Sequence, residues 1–360
     1  MEPIRIGIIG VGQIGKSHVR GYQDIPGATI VAACDLNQEE LTRVCDENGI
    51  PDRYQEYDEM LARDDIDAVD VCLHNRFHAP ATIAGLKAGK NVYCEKPIAS
   101  SYQAGMDMLD AAEASGKMLH IQLAQLYSKE TRAARTLIEA GKLGDLYHAR
   151  STGYRRRGRP FVDGYGTFNF VRKEVSCGGA LFDMGIYHIS RLLYLLDIPE
   201  VERISGRVYQ ETEMDEARKK ESAYDVEELA VGLVHFKGGL TMDIIEAWAI
   251  HMNAFEGSSI SGSSGGIRLD PFSYHANMCD IEMDATFNLG SMDFRQHRLN
   301  ADQDAYDSSQ AHWIAALQGR VELLPTARIA LQTMLIQEGI YLSHEQNRDV
   351  TAADVKTASA

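Results

Sequence analysis

Lys96 is the residue of this chain best placed, by type and by neighbours, to act on a polar oxygen. It stands in Glu95-Lys96-Pro97, at the end of the apolar run Asn91-Val92-Tyr93-Cys94, which reads as a short buried strand. An ammonium at a strand end acts on a substrate when a cofactor lies along the strand ends beside it. Pro97 permits a cis bond after the lysine, because a tertiary amide loses most of its preference for trans.

A second pattern supplies the cofactor. Gly10-Val11-Gly12-Gln13-Ile14-Gly15 follows the apolar strand Ile4 to Ile9 and opens a helix. Gly10 permits the tight turn, Gly12 lets a pyrophosphate approach the backbone, and Gly15 lets helix and strand pack closely. The helix start at Gln13 and Ile14 offers unpaired N–H groups and a positive dipole end to the phosphates. Asp35 ends the next strand, where a carboxylate takes the ribose hydroxyls of NAD and repels a 2′-phosphate. No arginine follows it in Leu36-Asn37-Gln38, so NAD is expected rather than NADP. The loop Leu73 to His78 follows a further apolar strand and is expected over the nicotinamide half. Leu73, Asn75 and His78 are its candidate cofactor contacts, with a turn role for Asn75 and a helix start for His78 as alternatives.

Around these residues, short apolar strands alternate with helices as far as Ile121, which predicts a parallel sheet wrapped on both faces. From Leu123 to Ser128 the character changes. Longer alternating strands at Leu146–Tyr154, Val201–Tyr209, Leu229–Phe236 and Leu240–Trp248 read as an antiparallel sheet, with a hairpin at Lys237-Gly238-Gly239. Helices are expected over Lys129–Ala140, Leu181–Leu196, Ser309–Leu317 and Ala327–Glu345, and a solvated excursion over the charged stretch Gln210–Glu221. The reading is two domains: 1–123 for the dinucleotide and 124–360 for substrate and oligomerisation.

Composition narrows the partners. A formal net charge of −16 argues against nucleic acid and anionic membranes. No apolar run is long enough for a bilayer, and Met1-Glu2-Pro3-Ile4-Arg5 lacks the features of a signal peptide. The six cysteines form no C-x-x-C pair and read as buried thiols of a reducing, cytoplasmic compartment. The histidines show no metal-ligand spacing, so no metal is expected.

Taken in order, the glycine fingerprint, Asn75-x-x-His78, Ala88-Gly89-Lys90-Asn91-Val92-Tyr93-Cys94-Glu95-Lys96-Pro97 and Gly178-Gly179-Ala180-Leu181-Phe182-Asp183-Met184-Gly185 resemble the Gfo/Idh/MocA family of sugar and inositol oxidoreductases. The resemblance extends over nearly the full chain. It implies an α/β protein: an N-terminal Rossmann domain, then an α/β domain on a large, mostly antiparallel open sheet through which members associate as homo-oligomers. By position, Lys96 resembles the lysine that holds the reacting hydroxyl, and Asp183 the acidic residue beside it. Many members place a histidine four residues later as the proton carrier. This chain has Tyr187 there and His188 one step on. Residues four apart share a helix face, which favours Tyr187; the ordinary imidazole pKa favours His188. Glu95 and Gln125 are further candidates for the cofactor. Tyr154, Arg157, Tyr165 and Lys173 are candidates for the substrate, with Trp248 and His251 as further aromatic groups for a sugar face. Arg157 belongs to the basic run Arg155-Arg156-Arg157-Gly158-Arg159, which could also pair at a subunit contact or lie solvated.

The expected activity is hydride transfer between NAD(H) and a ring secondary alcohol or ketone of a sugar or glycoside, with carbon 3 of a pyranoside as the chosen position. Alternatives are a cyclitol dehydrogenase, a glycoside hydrolase working by transient oxidation and elimination, and a non-catalytic NAD sensor.

Overall fold

The computed structural model describes residues 3–360. The chain begins β1 (Ile4–Ile9), α1 (Gln13–Gln23), β2 (Ala28–Cys34), α2 (Gln38–Asn48), β3 (Asp52–Tyr54), α3 (Tyr57–Leu61) and β4 (Ala68–Val71). It continues through α4 (His78–Lys87), β5 (Asn91–Cys94), α5 (Tyr102–Ser115) and β6 (Leu119–Ile121). After α6 (Lys129–Glu139) come β7 (Leu146–Tyr154), α7 (Lys173–Ser176), α8 (Ala180–Asp183), α9 (Gly185–Leu195), β8 (Val201–Tyr209), α10 (Glu216–Ser222), β9 (Leu229–Phe236) and β10 (Thr241–Ala247). Four short strands follow, β11 (Ser259–Gly262), β12 (Gly266–Leu269), β13 (Phe272–Met278) and β14 (Ile281–Thr286). The chain ends in α11 (Leu289–Leu299), α12 (Ser309–Leu317), α13 (Thr326–Gln346), β15 (Val350–Thr351) and α14 (Ala352–Ser359).

Two compact units result. The first comprises the chain up to Gln122 together with His297–Ala330, so a segment that a contiguous division assigns to the second domain packs here. Its sheet has the order β3-β2-β1-β4-β5-β6, with every neighbour parallel. The strand order reverses between β1 and β4, and ligands of such sheets bind at that point, beyond the carboxyl ends of the strands. Helix α1 turns Val19 and Tyr22 into a core shared with Ile6, Ile8 and Ala33, and Trp313 and Ile314 of α12 close the same core.

The second unit holds Leu123–Gln296 and Leu331–Ala360 around a nine-stranded sheet ordered β14-β13-β12-β11-β7-β10-β9-β8-β15. The sheet is mostly antiparallel, as expected, with one parallel pair: β7 and β10, with Tyr154 opposite Ala247. Between them the chain passes through α9 and the β8–β9 pair, and it re-enters the sheet in the direction it left. The expected continuous helix Leu181–Leu196 is corrected, because it breaks at Met184 into α8 and α9. The Gln210–Glu221 excursion contains most of α10, capped by Asp215. Strands β13 and β14 and helix α11 have no counterpart in the sequence reading. No helix among the described residues is long and apolar enough to cross a membrane, and the six cysteines are free thiols.

The first unit carries an acid-sensitive core. His312 is fully buried, and its Nε2 accepts the Leu324 N–H at 3.0 Å. Burial pushes its imidazole down from 6.5 to about 4. An unfolded chain takes up a proton near 6.5 that the folded chain refuses until about 4, so this contribution to stability is full above 6.5 and lost as pH falls towards 4. Unfolding free energies of wild type and His312→Gln, measured from pH 7 to pH 4, should therefore converge by roughly 3 kcal/mol. A constant difference would refute the assignment.

Candidate functional site

In the first unit the glycine fingerprint forms the β1–α1 turn, and its three glycines have different reasons to be there. A Cβ on Gly10, at φ +94°, would lie 2.6 Å from the Cys72 carbonyl oxygen. One on Gly15 would lie 2.0 Å from the Gly10 oxygen. The chain itself therefore demands both. Gly12 is different: its φ of −64° suits any residue, and a Cβ there would meet no protein atom within 4 Å. The missing side chain leaves open space over exposed Gln13 and Ile14 at the start of α1, where helix N–H groups and dipole favour a phosphate. That open space fits a dinucleotide pyrophosphate. Asp35 stands at the end of β2 and accepts the N–H groups of Val11 and Asn37, each at 2.8 Å. Its carboxylate is thereby fixed against the fingerprint turn, with acceptor capacity left for a ribose diol.

The loop after β4 divides its candidates. Leu73 and Asn75 are partly exposed, and Asn75 starts a short 3-10 turn, Asn75–Phe77. His78 is turned inwards. It is fully buried at the start of α4, with Nδ1 2.7 Å from the Pro97 oxygen and Nε2 2.9 Å from the Leu73 oxygen. Both ring nitrogens lie against backbone carbonyls, so the ring braces the loop. Glu95 is turned inwards likewise: its carboxylate is buried against His18 and receives the Lys96 N–H at 2.9 Å. From Val92 to Ala99, Lys96 alone is not buried. The bond from Lys96 to Pro97 is cis.

The second unit presents a matching pattern. Between Ala180 and Leu193 every residue is buried except Asp183, Tyr187 and His188. Gly179 approaches Glu227 so closely that a Cβ would sit 1.9 Å from its carbonyl oxygen. The buried Glu227 carboxylate takes the N–H groups of Gly179 and Leu181 at 2.9 Å, which fixes the start of α8. At the other end of α8, Trp248 donates its indole N–H to Asp183 at 3.1 Å. Trp248 is itself fully buried, so the reading of it as a sugar platform is corrected to one of holding the acid. His188 turns towards the sheet: its Nδ1 lies 3.0 Å from Glu246 on β10, and Glu246 also receives the Ser151 hydroxyl at 3.2 Å. Burial pushes the Glu246 carboxyl up, and His188 opposes it. Burial works against a charged His188, but the neighbouring carboxylate more than offsets that and raises the imidazole. The pair keeps a proton between its members. Gly153 on β7 makes room for it, since a Cβ there would lie 2.2 Å from the His188 ring.

Parallel β7 and β10 end together, and that places the substrate candidates. Arg155 N–H bonds the Ala247 oxygen at 2.7 Å and Gly158 N–H the Trp248 oxygen at 2.8 Å, which straps the loop to the residue that holds Asp183. Buried Arg159 anchors this loop through Asp163 and Glu228, at 2.9 and 2.8 Å. Tyr154 gives its hydroxyl to the Asn253 oxygen and packs edge-on to Phe255. Arg157 is largely exposed and bonds Asp163 at 3.1 Å. The Tyr165 hydroxyl lies against Arg155 and the Gly158 oxygen, and burial pushes its phenol up to about 12. Lys173 is exposed at the start of α7, and His251 is exposed beyond β10. Gln125, partly exposed in the turn Ala124–Tyr127, is held through its carbonyl by Thr131.

Comparison with known proteins agrees with this geometry. Residues 4–123 match the model of the Gfo/Idh/MocA oxidoreductase family with its NAD-binding Rossmann fold, and residues 131–268 match the C-terminal domain of the same family. A D-glucoside 3-dehydrogenase of Escherichia coli strain K12 is 27% identical over 352 residues, 96% of each chain. An inositol 2-dehydrogenase of Azotobacter vinelandii is 33% identical over 39% of this chain and 43% of its own. The crystal structure of an NAD-binding oxidoreductase from Klebsiella pneumoniae superposes with a TM-score of 0.80 at 20% identity, covering 97% of this chain and 99% of that one.

The contrast among the three glycines has a direct test. Gly12→Ala should fold with an unchanged melting temperature, because its methyl meets only open space. Its NAD affinity, measured by calorimetry, should fall about tenfold or more, a loss of roughly 1.4 kcal/mol. Unchanged NAD affinity would show that nothing approaches Gly12.

Proposed function

Because the chain belongs to the Gfo/Idh/MocA family of NAD-binding oxidoreductases, we propose that it is a glycoside dehydrogenase, oxidising a ring hydroxyl of a pyranoside at carbon 3 with NAD rather than NADP. The observation that carries the reading is the pattern of exposure. Lys96 in one buried run and Asp183, Tyr187 and His188 in another are the side chains only partly buried, and each run is braced from behind. Full-length likeness to a D-glucoside 3-dehydrogenase supports a pyranoside over a free cyclitol.

When bound, NAD supplies the hydride acceptor. The Lys96 ammonium orients the reacting hydroxyl and stabilises negative charge developing on its oxygen. Tyr187 takes the hydroxyl proton as general base and returns it in the reverse direction. His188 is the less suitable carrier, since its ring is turned to Glu246 and closed in by Gly153. Asp183, steadied by Trp248, supplies a carboxylate to receive a sugar hydroxyl. The strapped loop with Tyr165, Arg157 and Lys173 contributes further hydrogen-bonding groups for the sugar. Tyr154 acts through the loop it holds. We place the enzyme in the cytoplasm, consistent with its free cysteines, as a homo-oligomer associating through the nine-stranded sheet.

Incubation with NAD and methyl glucosides should produce NADH absorbance and a 3-keto product. Tyr187→Phe should lower kcat by about 10²–10⁴-fold with NAD affinity intact, and His188→Asn should lower it less. The reverse order would transfer the proton role to His188. Release of aglycone with no net NADH would indicate cleavage through transient oxidation instead. No reaction with any glycoside would overturn the reading.

A further inference from the structure

His18 lies one turn beyond Gly15, on the face of α1 that also buries Gly15, Val19 and Tyr22. Its ring is 5% exposed and stands between two carboxylates. Nδ1 is 2.9 Å from Asp70 on β4, and Nε2 is 2.9 Å from Glu95. A neutral imidazole has one N–H; the other nitrogen would turn a lone pair towards a carboxylate oxygen. Donation at both ends requires the imidazolium. The second oxygen of Glu95 receives the Lys96 N–H at 2.9 Å. One continuous chain of charge-assisted bonds therefore runs from the fingerprint helix to the lysine backbone.

We propose that His18 is a positioning residue for Lys96: bridging Asp70 and Glu95, it fixes the Glu95 carboxylate that receives the Lys96 N–H. This rests on the reading of Lys96 as the residue that holds the reacting hydroxyl. The surroundings of the ring agree. From β4 and its end come Asp70 and Cys72, whose thiol lies 3.2 Å from Nδ1 and 3.3 Å from the Asp70 carboxylate. From β5 comes Tyr93, edge-on at 5.6 Å, and on α1 itself Tyr22 stays a neutral phenol, pushed up by burial and by Asp70. Gln310 of α12 holds the His18 carbonyl at 3.1 Å. Burial opposes charge on the ring, but Asp70 and the remaining neighbours hold it far above its ordinary range. Burial would raise Glu95, yet His18, with smaller contributions from Lys96 and His78, holds it below the usual carboxylate range. Removal of His18 leaves two buried acids facing each other.

The test compares His18→Gln, Glu95→Gln and the double variant, all as NAD complexes with methyl glucoside as substrate. In His18→Gln an acid must retain a proton, so kcat should fall about ten- to hundredfold and gain a pH dependence in the neutral range. NAD affinity should stay within about twofold, because the fingerprint turn is untouched. The double variant should lose the added pH dependence. An unchanged kcat, or a fall matched by NAD affinity, or a pH profile indifferent to Glu95→Gln, would each overturn the proposal. Two measurements need neither substrate nor the single His18 variant. In the wild-type NAD complex, ¹⁵N-histidine spectra should show one ring protonated on both nitrogens from about pH 6 to pH 9, with its signals displaced in Glu95→Gln. The Lys96 amide should exchange slowly in the wild type and faster in Glu95→Gln. Both results without glycoside turnover would leave the His18 bridge standing and discard the pyranoside reading; absence of a doubly protonated ring would discard the bridge.

Discussion

The first unit depends on how closely a helix can lie on a sheet. Gly15 lets α1 approach the Gly10 carbonyl to a distance that any side chain would block, and Gly10 does the same against Cys72. This contact brings the helix amino terminus to the strand ends, where a pyrophosphate can use its dipole. It also lowers the next turn of α1 into the sheet, so that His18 arrives between a β4 carboxylate and the acid of Glu95-Lys96-Pro97. A widened helix–sheet gap would break both arrangements at once. Cofactor turn and lysine are therefore parts of one construction within this unit.

The second unit solves a similar problem with different elements. A parallel pair inside an otherwise antiparallel sheet sends the ends of β7 and β10 to the same edge. Trp248 continues β10 and reaches Asp183, while the chain leaving β7 is strapped to the backbone of Ala247 and Trp248. Glu246, two residues before Trp248 and so on the same side of the chain by strand alternation, takes His188. The end of a single strand thus supplies one side chain to each of two neighbouring site residues. The break at Met184 leaves this geometry intact, because α9 resumes immediately at Gly185.

Much of this was legible in the chain. The glycine spacing, Asp35 and the run into Lys96 announce their roles through local pattern, since turn, helix start and strand end are all set by near neighbours. The four long strands of the second unit were equally plain from their alternation. What stayed hidden has a common cause: it depends on partners distant in sequence. Nothing local marks His18 as different from any helical histidine, because its partners lie 52 and 77 residues away. His78 and Glu95 sat within motifs and were read as cofactor contacts, yet burial turned both inwards. Trp248 read as a sugar platform for the same reason. Glu246 was visible only as an acid inside an apolar strand. An acid in such a place requires a partner, and that requirement was the available signal. Strands β13 and β14 went unseen because neither has a buried face to mark its alternation.

A pattern common to both units follows from the cost of buried charge. Burying an ion pair gains little net stability, because desolvation offsets most of the attraction, while losing one partner is severe. His18 with Asp70 and Glu95, and His188 with Glu246, are therefore poor choices if stability alone is the purpose. Apolar side chains of the same size would pack as well. What a buried pair supplies is direction: charge-assisted bonds hold two side chains at fixed angles where van der Waals contact would tolerate several. Both pairs lie directly behind the few side chains that escape burial, Lys96 in one unit and Tyr187 beside His188 in the other. Under the proposed roles of Lys96 and Tyr187, hydride and proton transfer would demand positions good to a fraction of an ångström, and costly polar bonds at these two places in the core suit that demand.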